Sequence, residues 1–120
     1  VILKYRPVIK VKRAKGDMKI LVTGSAGHLG EALMRSLKAT DHESVGLDIK
    51  SSRFTRREGS ITDRSFVKQC MQGVDVVLHT ATVHKPHIAS HTRQDLVDTN
   101  ITGTLNLLEE AASQGIKAFV

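Results

Sequence analysis

Three evenly spaced glycines are the first residues in this chain with chemistry to offer. Thr23-Gly24-Ser25-Ala26-Gly27-His28-Leu29-Gly30 carries the pattern G-x-x-G-x-x-G between an apolar run and a helical pattern. Gly24 permits a tight turn, Gly27 lets a pyrophosphate approach the backbone, and Gly30 lets the helix pack closely. Amides at the start of that helix would face the phosphates, helped by the helix dipole. Asp48 closes the next apolar run. A carboxylate at that distance can accept both ribose hydroxyls of an adenosine and repels a 2′-phosphate. Together these residues point to a dinucleotide, NAD in preference to NADP. Lys50, Arg53, Arg56 and Arg57 follow closely and could neutralise a phosphate, which keeps NADP open as the lesser reading.

The remaining reactive side chains suggest less. His84, His87 and His91 lie close together, with His79 upstream, and three neutral imidazoles could hold zinc if they converged. Pro86 interrupts any helix across them, and their spacing matches no short zinc motif. They are read as solvated loop histidines near a substrate mouth, and no metal ligand is assigned. His79, at a strand end, is expected to be packed or hydrogen-bonded near the cofactor. Cys70 falls on an apolar helix face and reads as core. No Ser/His/Asp arrangement stands out, and no catalytic residue is assigned.

These residues need elements to position them. Lys19–Thr23 is a short β-prone run, and residues 44–48 form a second. A weakly marked third spans 56–60, the clearest strand spans 74–79, and a last one begins at 117–120. Between them, Leu29, Ala32, Leu33 and Leu37 predict a one-sided helix. Asp63 stands as an N-cap before Phe66, Val67, Cys70 and Met71, with Gly73 closing that helix. A polar loop over 82–92 leads to one long helix over 94–113. Leu96, Val97, Ile101, Leu105, Leu108 and Ala112 are expected on its buried side. Strands alternating with helices predict an α/β domain, a Rossmann-type doubly wound parallel sheet of order 3-2-1-4-5 that stops after the fifth strand.

Composition narrows the class. The 120 residues are 40% hydrophobic and 25% charged, as in an ordinary globular domain. No apolar run approaches the roughly 20 residues that span a bilayer. One cysteine forms no internal disulfide, which suits a reducing, cytoplasmic setting. The formal charge of +6 is concentrated in residues 1–17, where six cationic side chains face Asp17 alone. That segment is read as an upstream or non-native extension outside the βαβ units, with residues 18–120 as the domain. One Tyr, three Phe and no Trp give no platform for stacking bases, so no specific nucleic-acid partner is expected.

Several segments together resemble the extended short-chain dehydrogenase/reductases, the NAD-dependent epimerase/dehydratase family. They are TGSAGHLG, Asp48, GSITD at 59–63, DVVLHTAT at 75–82 and DTNITGTLNLLEEAASQGIKAFV at 98–120. The resemblance implies that Gly24, Gly27, His28, Leu29 and Gly30 surround the pyrophosphate and Asp48 the adenosine ribose. It implies that Ser60 and Ile61 edge the adenine, with Ser60 standing where the family usually has Asp. Thr80, Ala81 and Thr82 would pass behind the nicotinamide ribose, Thr82 replacing a common Ala or Gly, and Asn100 would hold the cofactor-side loop through its amide. The resemblance also implies a small-molecule substrate, with nucleotide sugars among those the family takes, and leaves a homodimer open to the full-length protein. The family's catalytic Tyr-x-x-x-Lys pair is missing: the one tyrosine is Tyr5, with Ile9 where the lysine would stand. The chain therefore reads as the cofactor-binding part of a hydride-transfer enzyme, or alternatively as a redox-inactive NAD(P)-binding sensor or structural module.

Overall fold

The computed structural model describes residues 15–120. Most of the basic extension, residues 1–14, lies outside the described residues.

Five strands form one parallel sheet: β1 (Lys19–Thr23), β2 (Glu43–Asp48), β3 (Arg57–Glu58), β4 (Val76–His79) and β5 (Ala118–Phe119). Their order is β3-β2-β1-β4-β5, the doubly wound arrangement that the alternation of elements predicts. Within β1 the side-chain period of two splits the core. Ile20 and Val22 face α1 (His28–Leu37) and pack with Met34 and Phe54. Leu21 faces the other layer, joining Val45, Leu47, Val67, Met71, Val77 and Leu107. Each such side chain, fully buried, contributes about 1.5–3 kcal/mol. Asp63 caps α2 (Arg64–Cys70) by accepting from the Phe66 amide at 3.0 Å, and Cys70 is buried in the core beside Val67.

The sequence reading needs correction in two helices. In α1, Leu29 and Ala32 are exposed and Met34 is the buried side chain. Leu29 sits in the first turn of α1, where it borders an open cleft instead of the core.

The long helix is not one continuous α-helix. It runs as α3 (Arg93–Val97), a π-helical stretch over Asp98–Gly103, and α4 (Thr104–Ser113). Nor is its expected apolar side buried: Val97, Ile101, Leu105 and Leu108 are exposed, Ile101 to 63%. The inward face is instead Gly103, Asn106, Leu107, Glu110 and Ala111. Close approach explains the inversion. A Cβ on Gly103 would stand 2.5 Å from Cγ1 of Ile61, so only glycine lets the helix come this near. Farther along, Arg64 on α2 donates to the buried Glu110 at 3.0 Å and pairs with Glu109. Those bonds need polar side chains turned inward.

Candidate dinucleotide-binding site

At the carboxyl ends of β1, β2 and β4 lies a cleft of about 630 Å³, where doubly wound sheets bind ligands. One wall is the turn from β1 into α1. Gly24 has φ +75°, a conformation that side chains rarely adopt, and a Cβ there would meet the Thr80 carbonyl carbon at 2.7 Å. Its amide donates to the Leu47 carbonyl at 2.8 Å, tying the turn to β2. Gly30 closes the turn: a Cβ would fall 1.9 Å from the Gly24 carbonyl oxygen. Gly27 is exposed at the cleft as the residue preceding α1, ahead of the amides at the helix start.

Asp48 holds the opposite wall. One carboxylate oxygen accepts from the Ala26 amide at 2.9 Å and the other from the Lys50 amide at 2.9 Å. The carboxylate is thus fixed between the glycine turn and the chain leaving β2, and each oxygen keeps a free lone pair for a hydroxyl. Lys50 lines the cleft, whereas Arg53 and Arg56 line a separate hollow and Arg57 lies over the Phe66 ring, 6.0 Å from its centre. Of the four cations named above as candidates for a 2′-phosphate, only Lys50 borders the cleft.

Gly24, Gly27, His28, Leu29, Gly30, Asp48, Ser60, Ile61, Thr80, Ala81 and Thr82 all line this one cleft. Asn100 does not line it. It grips the loop that does, accepting from the Val83 amide at 2.8 Å and donating to the Val83 carbonyl at 2.7 Å. Ser60 makes the local turn that an acid could make there: its hydroxyl accepts from the Thr62 amide at 3.1 Å.

Sequence reasoning passed over three supports. Thr23, fully buried, accepts through its hydroxyl from the Thr80 amide at 3.2 Å and the Ala81 amide at 3.3 Å. Asn106 donates to the Ile61 and Thr62 carbonyls at 3.0 and 3.2 Å, fixing the chain after β3. Ser25, also fully buried, bonds the Thr55 hydroxyl at 3.1 Å. Thr23 and Ser25 lie within the quoted glycine motif, so their positions were available; Asn106 was hidden by the wrong helix face.

His79 bridges three elements: Nδ1 is 2.7 Å from the Thr23 hydroxyl and Nε2 is 2.9 Å from that of Thr104. Burial pushes its pKa below the ordinary value, so the ring is neutral and donates through one nitrogen only. His84, His87 and His91 also border the cleft, but their rings pack edge to face, 4.6 and 5.3 Å apart in sequence. Among the described residues no group of His, Cys, Asp and Glu is arranged to hold a metal ion.

Residues 20–120 match the NAD dependent epimerase/dehydratase family over nearly the whole domain. The chain belongs to this family. A curated relative, sterol demethylase protein B of Methylococcus capsulatus, is 32% identical over 111 residues, covering 86% of this chain and 33% of that protein. Among solved structures, a short-chain dehydrogenase/reductase superfamily protein from Agrobacterium tumefaciens with bound NAD is similar, with a TM-score of 0.75 and 30% identity. That match covers 84% of this chain and 31% of the other. A UDP-glucose 4-epimerase from Thermotoga maritima, solved with UDP-glucose, has a TM-score of 0.76 at 28% identity, over 85% of this chain and 36% of its own. The chain thus spans about a third of the length of the family members it matches.

Proposed function

We propose that the cleft binds NAD and that the chain is the cofactor-binding part of an enzyme that epimerises, dehydrates or reduces a nucleotide sugar. The observation that carries this reading is the Asp48 carboxylate, fixed by two backbone amides opposite the glycine turn. The glycine turn with His28 and Leu29 would hold the pyrophosphate, Asp48 the adenosine ribose, and Ser60 and Ile61 the adenine. Thr80, Ala81 and Thr82 would back the nicotinamide ribose on a loop held by Asn100. The fit is sterically specific: a side chain at Gly24 would strike the backbone of Thr80 and Ala81, one at Gly30 the Gly24 carbonyl, and one at Gly27 would stand exposed at the cleft.

Bound NAD would supply the hydride acceptor for a substrate alcohol. The chain's part is to bind and orient that cofactor, because the Tyr-x-x-x-Lys pair that exchanges the substrate proton in the family is not among its 120 residues. Support for a nucleotide-sugar substrate comes from the UDP-glucose in the similar Thermotoga structure. We further propose that residues 18–120 are the cofactor domain, that the protein is cytoplasmic, and that a homodimer is open to the full-length protein. No described helix is long and apolar enough to cross a membrane.

Titration calorimetry with NAD and NADP tests the assignment. NAD should bind more tightly, and Asp48→Asn should weaken NAD by about tenfold, the loss of one charge-assisted hydrogen bond. Equal affinity for the two cofactors, unchanged by Asp48→Asn, would remove Asp48 from its role. Binding of NAD by a full-length protein that turns over no nucleotide sugar would favour the sensor or structural reading instead.

A further inference from the structure

A second hollow, about 360 Å³, opens between α1 and the chain joining β2 to β3, and it shares no residue with the cofactor cleft. Its volume falls near the small end of ligand-sized cavities. Phe54 is buried beneath it, and three cations crowd that ring: Arg53 at 4.8 Å, Lys38 at 4.9 Å and Arg35 at 5.3 Å from its centre. Arg56 lines the hollow as well. Arg35 is neutralised by Glu31, its i,i+4 partner at 2.6 Å. Lys38, Arg53 and Arg56 have no carboxylate within ion-pair distance among the described residues.

Three like charges gathered around one cavity repel one another, and the face of a single phenyl ring offsets only part of that. An anion seated among them would remove the repulsion and gain charge-assisted hydrogen bonds. Glu31, already paired with Arg35, also attracts Arg53, but no carboxylate comes within ion-pair distance of Arg53 or Arg56 among the described residues, and both are guanidinium forks whose geometry matches the paired oxygens of a phosphate. Ser44 and Thr55 add hydroxyls to the lining. The position is mechanically defined too. Thr55 bonds Ser25 of the glycine turn, and the Arg56 amide donates to the Gly46 carbonyl at 3.0 Å, so the cationic loop is anchored at both residues.

We propose that this hollow is a phosphate site, taking a phosphate or diphosphate group independently of the dinucleotide. A base-stacking mode is not available there, because Phe54 is already buried. The cavity's size favours a compact phosphorylated ligand over an extended acidic peptide.

Inorganic pyrophosphate is the probe, titrated by calorimetry into the 120-residue chain at 0.15 M salt with NAD saturating. One saturable site is expected, weakened about tenfold by Arg53→Gln with Arg56→Gln, with NAD affinity unchanged within about twofold. Lys38→Gln, a single change at an exposed helix position, should weaken pyrophosphate severalfold and serves if the double variant does not fold. Absence of saturable binding would overturn the proposal, as would binding insensitive to all three substitutions. Pyrophosphate binding that appears only without NAD would place the anion in the cofactor cleft and overturn it equally. Tighter binding of an oligoglutamate peptide than of pyrophosphate would show a carboxylate-directed surface instead. Should NAD fail to occupy the main cleft, the Arg53, Arg56 and Lys38 variants still decide the proposal, because none of the three residues lines that cleft.

Discussion

A Cβ at Gly27 would have one protein atom nearby, the Gly24 carbonyl oxygen at 3.3 Å, whereas at Gly30 the same oxygen would be 1.9 Å away. Substitution should therefore separate binding from folding. Gly27→Val is expected to cost far less stability than a side chain at Gly30 and to lose NAD binding in calorimetry. Gly30→Ala should destabilise the fold by about 3 kcal/mol, the upper end for overpacking, measurable by urea denaturation. His79 makes a second prediction. Its folded pKa lies below the ordinary value of 6.5, so the unfolded chain takes up the proton more readily. Its contribution to stability is complete above about pH 6.5 and is lost as pH falls from there toward the folded value. Urea midpoints should drop between pH 7 and pH 5, and His79→Gln should drop less. The glycine turn and the placing of Asp48 opposite it were legible because these positions follow from residue type and spacing. The clustering of His84, His87 and His91 beside them at the cleft was visible as proximity in sequence, but the edge-to-face packing of their rings depends on the short 3₁₀ turn over Lys85–His87.

The elements were legible where one force dominated. Buried parallel strands need apolar runs, and the runs at β1 and β4 announce themselves; Asp63 caps α2 through a single local bond. The helix over 93–113 departs from its apolar spacing because burial there follows size and hydrogen bonding more than hydrophobicity. Leu105 and Leu108 outrank Gly103 and Ala111 on that measure, yet contact with Ile61 and α2 demands small residues and bonded polar ones. Its π-helical stretch carries no signature in the apolar spacing at all. The correct face yields its own prediction. Asn106→Leu preserves size but leaves the Ile61 and Thr62 carbonyls without their donor, which should cost about 1–3 kcal/mol in chemical denaturation. Because Ile61 borders the cleft, NAD affinity should weaken in the same variant.

Across the molecule, Val97, Ile101, Leu105 and Leu108 make an apolar stripe on one side of the α3–α4 helix, and Val120 adds apolar surface at the edge strand. Exposed apolar patches of this kind promote association. Sedimentation velocity should show a weight-average mass that rises with concentration, and Leu105→Lys with Leu108→Lys should shift it toward the monomer without lowering the melting temperature. A ligand that binds only the folded chain stabilises it, so NAD should raise that temperature in both proteins. If the double variant remains as associated as the parent, some other surface governs assembly.

The grip of Asn100 on both backbone groups of Val83 has a consequence for motion. It repeats with one side chain the pairing that a neighbouring strand gives across a sheet, in a loop otherwise poor in backbone partners. The Val83 amide hydrogen should therefore exchange with deuterium slowly, while that of Thr82, which has no acceptor among the described residues, exchanges fast. The Val83 exchange rate is a built-in clock for how often the loop at the end of β4 lets go of the cleft wall, readable at one residue without any substrate.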